Sequence, residues 1–500
     1  MCPRLSQRFP QFALLWLLVL QGTSAWVSNT AQRHHHLRQL LPLSVKKTRV
    51  LDDAITSSSS STTTTTTTTT TQPKATIQIL MSDTGGGHRA SANALRDAWN
   101  TLYPNQIECD IVDIYTEYGP VWPYNDYVRM YKLMAQYPWT WDLFFRFGST
   151  PFGLWLNAFL LETICFQSFV TCLQQPDFIT TKKRADMVVS VHPLCQDIAL
   201  KILAYLDTNG ATRDPQYRTT PFCTVVTDLG GAHPTWFHPQ VDQCFVPSDA
   251  LRQLALQRNL QPSQIVQHGL PIRQGFWNSP LSSTEQPSST TTTSNTKAPR
   301  HTALGLHPEL PTVLLVGGGD GMGGLVEMAL SLQQELQDAQ LVVICGNNRA
   351  AQETLQQHSA ANNMVVRGFV SNMDEYMRAA DVLVTKAGPG TIAEACICGL
   401  PCMLFAYLPG QEEGNIPFVE QGGFGAYCSD PKEIATTVRS WIADPQQLAV
   451  MQENAFKAAR PQATLDIARD LAEIVFRHNE KKVDGGTGKG ESSGVVEASL

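Results

Sequence analysis

Short apolar runs alternate with longer amphipathic stretches along most of the chain. Such runs occur at Ala75–Met81, Ile107–Val112, Met187–Val191, Phe222–Thr227 and Gln243–Val246 in the first half, and at Thr312–Val316, Leu341–Cys345, Met364–Val366, Val382–Thr385 and Cys402–Ala406 in the second. Runs this short fit buried strands, and the helical stretches between them fit crossovers between parallel strands. The pattern predicts an α/β fold of two doubly wound parallel-sheet domains facing a cleft, with ligands at the carboxyl ends of the strands.

Three stretches interrupt this alternation. Residues 57–71 are almost pure Ser and Thr, a second Ser/Thr tract covers about 282–296, and the tail after Arg477 is rich in Gly, Ser and Lys. Such compositions cannot bury enough apolar surface to fold. We therefore expect an N-terminal acceptor domain at 73–279, a Ser/Thr-rich interdomain insertion at 280–300, a C-terminal nucleotide-binding domain at 301–476 and a disordered tail at 477–500.

The first 72 residues have the composition of targeting sequence. Basic residues precede an apolar run from Phe12 to Leu20 and small residues follow it, which is the layout of a signal peptide at 1–25. The segment from Trp26 to Leu51 is basic and contains no acidic residue, which is typical of a transit peptide, placed with the first Ser/Thr tract at 26–72. The two in series predict delivery to a plastid envelope membrane, and ordinary secretion is the alternative.

Composition and charge argue against several classes of protein. The formal net charge is −7, whereas nucleic-acid binders need clustered Lys and Arg. The 12 Cys residues include no C-x-x-C pair, which argues against a structural zinc site, and Cys396, Cys398 and Cys402 are interpreted as buried thiols. No D-x-D triplet is present to hold a metal ion, and no stretch after residue 26 is expected to span a membrane.

Four sequence motifs narrow the prediction from a fold class to a protein family. They are Thr84-Gly-Gly-Gly-His-Arg89, Thr227-Asp-Leu-Gly-Gly-Ala-His-Pro-Thr-Trp-Phe-His238, Lys386-Ala-Gly-Pro-Gly-Thr-Ile-Ala-Glu394 and Pro409-Gly-Gln-Glu-Glu-Gly-Asn415. Their residues and their order resemble the monogalactosyldiacylglycerol synthases over about 73–476. The resemblance implies the glycosyltransferase-B fold and the inverting transfer of galactose from UDP-galactose to the free hydroxyl of 1,2-diacylglycerol. It also implies that no metal cofactor is used and that anionic lipid activates the enzyme. A homodimer is a further expectation.

The acceptor side of the predicted cleft is rich in histidine. His88 follows three glycines at a strand-to-helix turn, and its pKa near the working pH suits a general base. The alternative is that His88 only orders the turn or binds the acceptor. His192, at the end of a predicted strand, is the second catalytic candidate. Acceptor-binding candidates, each with a structural role as the alternative, are Gly86, Gly87, Asp228, His233 and Trp236.

The donor side centres on Gly388, Pro389, Gly390 and Thr391, which lie between a strand and a helix whose free N–H groups favour a diphosphate. Glu394 is expected to bind the ribose hydroxyls, by resemblance, although Thr391 and Glu394 also have the spacing of a capping box. By resemblance, Gln411 and Glu412 hold the galactose and Phe369 and Val370 bracket the uracil. The other donor-binding candidates are Gly317, Gly318, Gly319 and Asn415. Asp320 and Glu413 depart from the family, which has Glu and, in plants, Lys at these positions.

One segment suggests how the protein reaches a lipid. Between Tyr137 and Val170 lie ten Trp and Phe residues with Arg146 as the only basic residue among them. Aromatic residues sit well at a bilayer interface, so we expect a peripheral, monotopic membrane contact here. A buried helical hairpin is the alternative.

Three rival functions remain open from the sequence. The first is a lipid glycosyltransferase that uses a glucosyl donor, since galactose and glucose differ at one hydroxyl. The second is a UDP-sugar epimerase of the same fold, which acts on soluble substrates. The third is a non-catalytic membrane protein that has kept the fold.

Overall fold

The computed structural model describes residues 74–135, 137–174, 184–277, 294–317, 324–359 and 363–487, all within one compact unit, Thr71–Leu500. The predicted presequence and residues 318–323 of the glycine-rich loop, which include Gly318, Gly319 and Asp320, lie outside the described residues. The described chain contains two six-stranded sheets whose neighbouring strands are all parallel. The predicted α/β fold of two doubly wound domains is confirmed.

The N-terminal sheet has the strand order β2-β1-β3-β4-β5-β6. Its strands are β1 Ala75–Met81, β2 Ile107–Asp113, β3 Met187–Ser190, β4 Phe222–Val225, β5 Gln243–Val246 and β6 Ile265–Gln267. Its helices are α1 Gly86–Leu102, α2 Ile114–Tyr118, α3 Tyr127–Ala135, α4 Pro138–Gly148, α5 Pro151–Leu160, α6 Phe166–Gln174, α7 Gln196–Asp207 and α8 Asp249–Gln257. Strand β1 is fully buried because helices cover both faces of the sheet, which explains its continuous apolar run.

The C-terminal sheet repeats the plan with the order β12-β11-β10-β7-β8-β9. Its strands are β7 Thr312–Val316, β8 Gln340–Ile344, β9 Met364–Arg367, β10 Val382–Lys386, β11 Cys402–Ala406 and β12 Gly425–Tyr427. The helices of this half are α9 Ser294–Leu304, α10 Leu325–Glu335, α11 Arg349–Ser359, α12 Met373–Ala379, α13 Pro389–Ile397, α14 Asn415–Gln421, α15 Pro431–Ala443, α16 Pro445–Ala458 and α17 Ala463–Thr487.

Two strands at sheet edges were not predicted from the sequence pattern. All ten apolar runs form strands within two residues of the expected bounds, whereas β6 and β12 were not expected. Each of these two strands has only three residues and is at most partly buried, so its hydrophobic signal is weak.

The domain boundaries also differ from expectation. Helix α9 begins at Ser294, inside the predicted insertion, and helix α17 continues to Thr487, into the predicted tail. Helix α17 also leaves its expected domain and packs on α1, where the indole N–H of Trp99 donates to the Ala468 carbonyl oxygen at 2.9 Å. Apolar residues of α17 such as Ile467 and Leu471 are buried, and this helix joins the C-terminal end of the chain to the N-terminal domain.

The aromatic residues between Tyr137 and Val170 lie on α4, α5 and α6, and some of them are buried while others are exposed. Trp141 on α4 is 6% exposed, but Trp139 is 64% exposed and Trp155 and Phe152 on α5 are each 59% exposed. The hairpin is therefore only partly buried. Contrary to expectation, the helical stretch Pro151–Gln174 is long and apolar enough to span a membrane. Its second half packs in the domain core through residues such as Phe169, so length and composition alone do not make it a span.

Candidate active site

His88 lies in the first turn of α1, buried at the edge of the N-terminal sheet. Its Nδ1 lies 2.8 Å from the Val191 carbonyl oxygen and 2.9 Å from Thr227 Oγ1. A carbonyl oxygen can only accept, so we assign the proton to Nδ1, which leaves the lone pair on Nε2. Burial lowers the pKa of His88 to about 4, so the expectation of a pKa near neutral pH is wrong. The ring is neutral at neutral pH, with a lone pair that can accept a proton, but it is a weaker base than an ordinary histidine. A Cβ on Gly86 or Gly87 would meet no atom within 4 Å, so the space beside this turn is open.

His192 is close to His88, with ring centroids 4.7 Å apart, but both of its nitrogens are engaged. The backbone N–H of Leu194 donates to Nδ1 at 3.3 Å, so Nε2 carries the proton and donates to Thr84 Oγ1 at 3.0 Å. Burial holds the pKa of His192 well below its ordinary value. This geometry favours a role for His192 in shaping the loop that carries His88, because no lone pair is left to accept a proton.

Asp228 and Trp236 form a buried pair on the loop that follows β4. The indole N–H of Trp236 donates to Asp228 Oδ2 at 2.6 Å, and the Trp236 ring lies 6.1 Å from that of His88. Burial, with a smaller effect of the charge on Glu412, raises the pKa of Asp228 to about 7. A carboxyl group that titrates near neutral pH beside a histidine is typical of catalytic sites.

His233 connects this loop to the aromatic helices. Its Nδ1 lies 2.7 Å from Thr235 Oγ1, burial lowers its pKa to about 4, and its ring meets that of Phe145 edge-on at 5.0 Å. The same Phe145 ring packs against Gly410 of the C-terminal domain, where a Cβ would lie 2.5 Å from the ring. Helix α4 therefore contacts the predicted acceptor loop and the predicted sugar loop at once.

The glycine-rich start of α13 is shaped for an anion. Gly388 is the N-cap, Pro389 the first helical residue, and Gly390 and Thr391 follow, so N–H groups without an intrahelical partner point out of the helix. A Cβ on Gly390 would meet no atom within 4 Å, so the approach is open. Because Gly388 and not Thr391 is the N-cap, the capping-box alternative for Thr391 and Glu394 is wrong.

Lys386 is a site residue that the sequence analysis missed. It is the last residue of β10, its Nζ would lie 3.4 Å from a Cβ on Gly388, and it is paired with Glu412. Glu412 is buried and also accepts from the Leu408 N–H at 2.9 Å. The position of Lys386, two residues before Gly388 in a matched motif, was the available signal. Glu412, expected on galactose, thus holds a lysine beside the anion site.

The two domains meet through the sugar loop. Asn415 donates from Nδ2 to the Ala387 carbonyl oxygen at 2.8 Å, and its Oδ1 accepts from the Gly230 N–H at 2.7 Å. Gln411 approaches Asp228 closely enough to oppose the rise in the pKa of that carboxyl group. A Cβ on Gly230 would lie 1.8 Å from the Gly414 carbonyl oxygen, so only glycine permits this approach. Asn415 therefore joins the two domains, and both ends of its amide are in use.

Glu394 lies in the second turn of α13 and is 6% exposed. Both its oxygens accept from the guanidinium of Arg273, a residue of the segment between the two sheets that the sequence analysis did not single out. No motif spacing marks Arg273.

The residues predicted to bind the uracil are more exposed to solvent than His88 and its neighbours. Phe369 is 71% exposed, Val370 is half-buried, and Gly317 ends the described part of its loop. Phe369 lines a cavity of about 630 Å³ that also touches Asp83, Gly85, Gly86, Arg129 and Asn347. The exposed Glu413 lies near α4, since Asp142 and, to a smaller extent, Glu413 raise the pKa of Arg146.

Within the described ranges no group of three or more His, Cys, Asp or Glu residues could hold a metal ion. The cysteines among these residues are free, and burial raises the pKa of Cys396 and Cys398 to about 12. The absence of a metal cofactor stays a prediction.

Comparison with known proteins identifies the family. The profile described as "Monogalactosyldiacylglycerol (MGDG) synthase" matches residues 88–272, and that described as "Glycosyltransferase family 28 C-terminal domain" matches residues 312–467. The chain is 39% identical over 409 residues to "Probable monogalactosyldiacylglycerol synthase 2, chloroplastic" of Oryza sativa subsp. indica, covering 80% of each chain. It is 38% identical over 404 residues to "Monogalactosyldiacylglycerol synthase 3, chloroplastic" of Arabidopsis thaliana, covering 79% of this chain and 80% of the relative.

Among solved structures, MurG of Acinetobacter baumannii superposes with a TM-score of 0.48 at 13% identity, covering 80% of this chain and 100% of that one. This likeness is too distant to bear on the substrate. The plant relatives match over 404 to 409 residues and are 38–39% identical to this chain. The chain therefore belongs to the monogalactosyldiacylglycerol synthase family of glycosyltransferases.

Proposed function

We propose that the protein transfers galactose from UDP-galactose to the free hydroxyl of 1,2-diacylglycerol in plastid membranes, with inversion at the anomeric carbon. The observation that carries the proposal is the hydrogen bond from the Gly230 N–H of the acceptor loop to Asn415 Oδ1 of the sugar loop, at 2.7 Å. It brings the predicted donor and acceptor groups together across the cleft of a chain whose plant relatives bear this activity in their names.

His88 is the proposed general base. Its Nδ1–H is held by the Val191 carbonyl oxygen, so Nε2 can accept the proton of the diacylglycerol hydroxyl as that oxygen attacks the anomeric carbon. The same attack breaks the bond between the anomeric carbon and the diphosphate oxygen. Asp228, ionised above pH 7, would orient the acceptor and stabilise the positive charge that His88 gains. Gly86, Gly87, His233 and Trp236 would line the acceptor side of the site.

The departing UDP carries the charge that must be stabilised. We propose that the N–H groups of Gly390 and Thr391, the dipole of α13 and the ammonium of Lys386 take this charge. Glu394 would hold the ribose, Phe369 and Val370 the uracil, and Gln411 and Glu412 the galactose. This arrangement needs no metal ion for the leaving group.

Formation of a galactolipid tests the function directly. The purified protein is given diacylglycerol vesicles containing anionic lipid, with labelled UDP-galactose or UDP-glucose and without added metal. We expect a monogalactosyl lipid from UDP-galactose and no lipid product from UDP-glucose. A glucosyl lipid would establish the alternative donor. The absence of a lipid product from either sugar would show the proposed function to be wrong.

The exposed aromatic residues of α4 and α5 are the proposed membrane contact. Trp155 and Phe159 stack with centroids 5.7 Å apart and are 59% and 50% exposed. We expect the double variant Trp155→Ser, Phe159→Ser to bind vesicles about tenfold or more weakly, because each ring loses its burial in the interface. Sedimentation with vesicles measures this, and Tyr217→Ser, equally exposed but on another segment, is the control. Unchanged binding of the double variant would remove these residues from the contact.

A further inference from the structure

The carboxylate proposed to bind the ribose is already held by an arginine from the interdomain segment. Arg273 Nε donates to Glu394 Oε1 at 2.7 Å, and Arg273 Nη2 donates to Oε2 at 2.5 Å. This is the two-pronged geometry that a guanidinium offers a carboxylate and that lysine cannot reproduce. The Glu394 side chain is 7% exposed, whereas that of Arg273 is 42% exposed.

We infer that Arg273 is a positioning residue, which orients Glu394 so that a remaining lone pair accepts from the ribose 2′ hydroxyl of the donor nucleotide. An ionised carboxylate has about four acceptor positions, and the guanidinium occupies one on each oxygen. One position on each oxygen is left, and because these two point away from each other, one of them is available to a single ribose hydroxyl. The inference rests on the proposed UDP donor and concerns how its sugar ring is recognised.

The charges around Glu394 favour the ionised form only while Arg273 is present. Burial raises the pKa of Glu394, Arg273 opposes this, and Asp374 on α12 adds to the rise. Cys398, just after α13, is the other titratable group that faces it, and the charge on Glu394 contributes to the raised pKa of that thiol. Arg378 and Arg300 act on Cys398 from α12 and α9. Without Arg273, burial and the charge on Asp374 would raise the pKa of Glu394 without that opposing charge, so Glu394 would take up a proton more readily.

The segment that carries Arg273 is itself fixed to the donor domain. Arg378 Nη2 donates to the Gly275 carbonyl oxygen at 2.7 Å, and a Cβ on Gly275 would lie 2.7 Å from the Asp374 carboxyl carbon. Arg378 therefore holds the segment but does not touch Glu394. This makes Arg378→Gln a matched control, because it loosens the segment and leaves the Arg273 to Glu394 contact in place.

The test compares UDP with 2′-deoxy-UDP by titration calorimetry at pH 7.5. We expect the wild-type protein to bind UDP about tenfold more tightly than 2′-deoxy-UDP, because the deoxy ligand leaves a buried acceptor unpaired. Arg273→Gln should bind UDP about tenfold more weakly and discriminate less than threefold between the two ligands. Arg378→Gln should keep the wild-type ratio. Arg273→Lys, which keeps the charge, should fall between wild type and Arg273→Gln.

A pH series with UDP-galactose, whose diphosphate does not titrate near neutrality, separates positioning from a merely structural role. Wild-type affinity should be flat from pH 7 to 9, whereas that of Arg273→Gln should rise with pH as Glu394 loses its proton. Full ribose discrimination in Arg273→Gln, or equal loss of it in Arg378→Gln, would overturn the inference. Failure of wild type to bind UDP would remove the donor itself and with it the proposed function.

Discussion

Replacing His88 by alanine is expected to lower kcat by about 10² to 10⁴-fold while the KM for UDP-galactose changes little. The range is that of a lost general base. The KM for UDP-galactose should stay nearly unchanged because the proposed donor contacts lie on the C-terminal domain. His88, by contrast, hydrogen-bonds groups of the N-terminal domain, Val191 and Thr227. Steady-state galactolipid synthesis on vesicles measures both constants.

A control is available outside the cleft. His268 pairs with Asp470 at 2.8 Å, so His268→Gln removes a half-buried histidine without touching the proposed site. We expect it to keep kcat within about twofold, provided the protein is folded. If His88→Ala retained more than about a third of the wild-type kcat, the base would have to be another group, and Asp228 would be the first to test.

Replacing Asp228 by asparagine is expected to stabilise the fold at alkaline pH and to lower activity. Burial raises the pKa of Asp228 from its ordinary 3.8 to about 7, so the folded state holds this proton more tightly than the unfolded chain does. The stability that the protonated Asp228 contributes is therefore fully present below about pH 4, and it is lost as the pH rises to about 7. The amide of the Asp228→Asn variant would not titrate, and its side-chain oxygen could still accept from the Trp236 indole.

The stability gap between the variant and the wild type should grow by about 2–3 kcal/mol from pH 5 to pH 8, since each unit of pH between the two pKa values contributes about 1.4 kcal/mol. Urea unfolding followed by Trp fluorescence at both pH values measures it. In parallel, wild-type kcat/KM should rise through pH 7 as Asp228 ionises, and the variant should lack this step. A gap that is independent of pH would show that Asp228 ionises normally in the fold.

The sequence pattern was most informative where a strand is buried on both faces. Strands β1, β5, β7 and β11 begin and end where the apolar runs do, because helices on both sides of a parallel sheet require a continuous apolar strand. The pattern failed for β6 and β12, which are short and lie at sheet edges. It also failed for α17, whose residues are typical of a helix but whose partner, α1, lies more than 350 residues earlier, as the contact of Trp99 with Ala468 shows.

For the site residues as well, the sequence predicted some properties and missed others. Motif order placed His88, Asp228 and the start of α13 in one cleft, because strand ends of parallel sheets converge at one edge. The motifs could not show which side-chain atoms are already engaged in hydrogen bonds within the protein and which remain available to a substrate. His192 uses both ring nitrogens locally, Asn415 spans the domains, and Glu394 is held by Arg273 from outside any motif.

The sequence by itself determined the two-domain α/β fold and the family and predicted candidate site residues within the motifs, since these depend on local periodicity and on motifs that are contiguous in the chain. Only the tertiary structure decided the tautomer of His88, the pKa near 7 of Asp228 and the partners of Glu394 and Lys386. Those properties come from burial and from contacts between distant segments. Desolvation and hydrogen-bond partners are set by packing in three dimensions, which no spacing along the chain encodes.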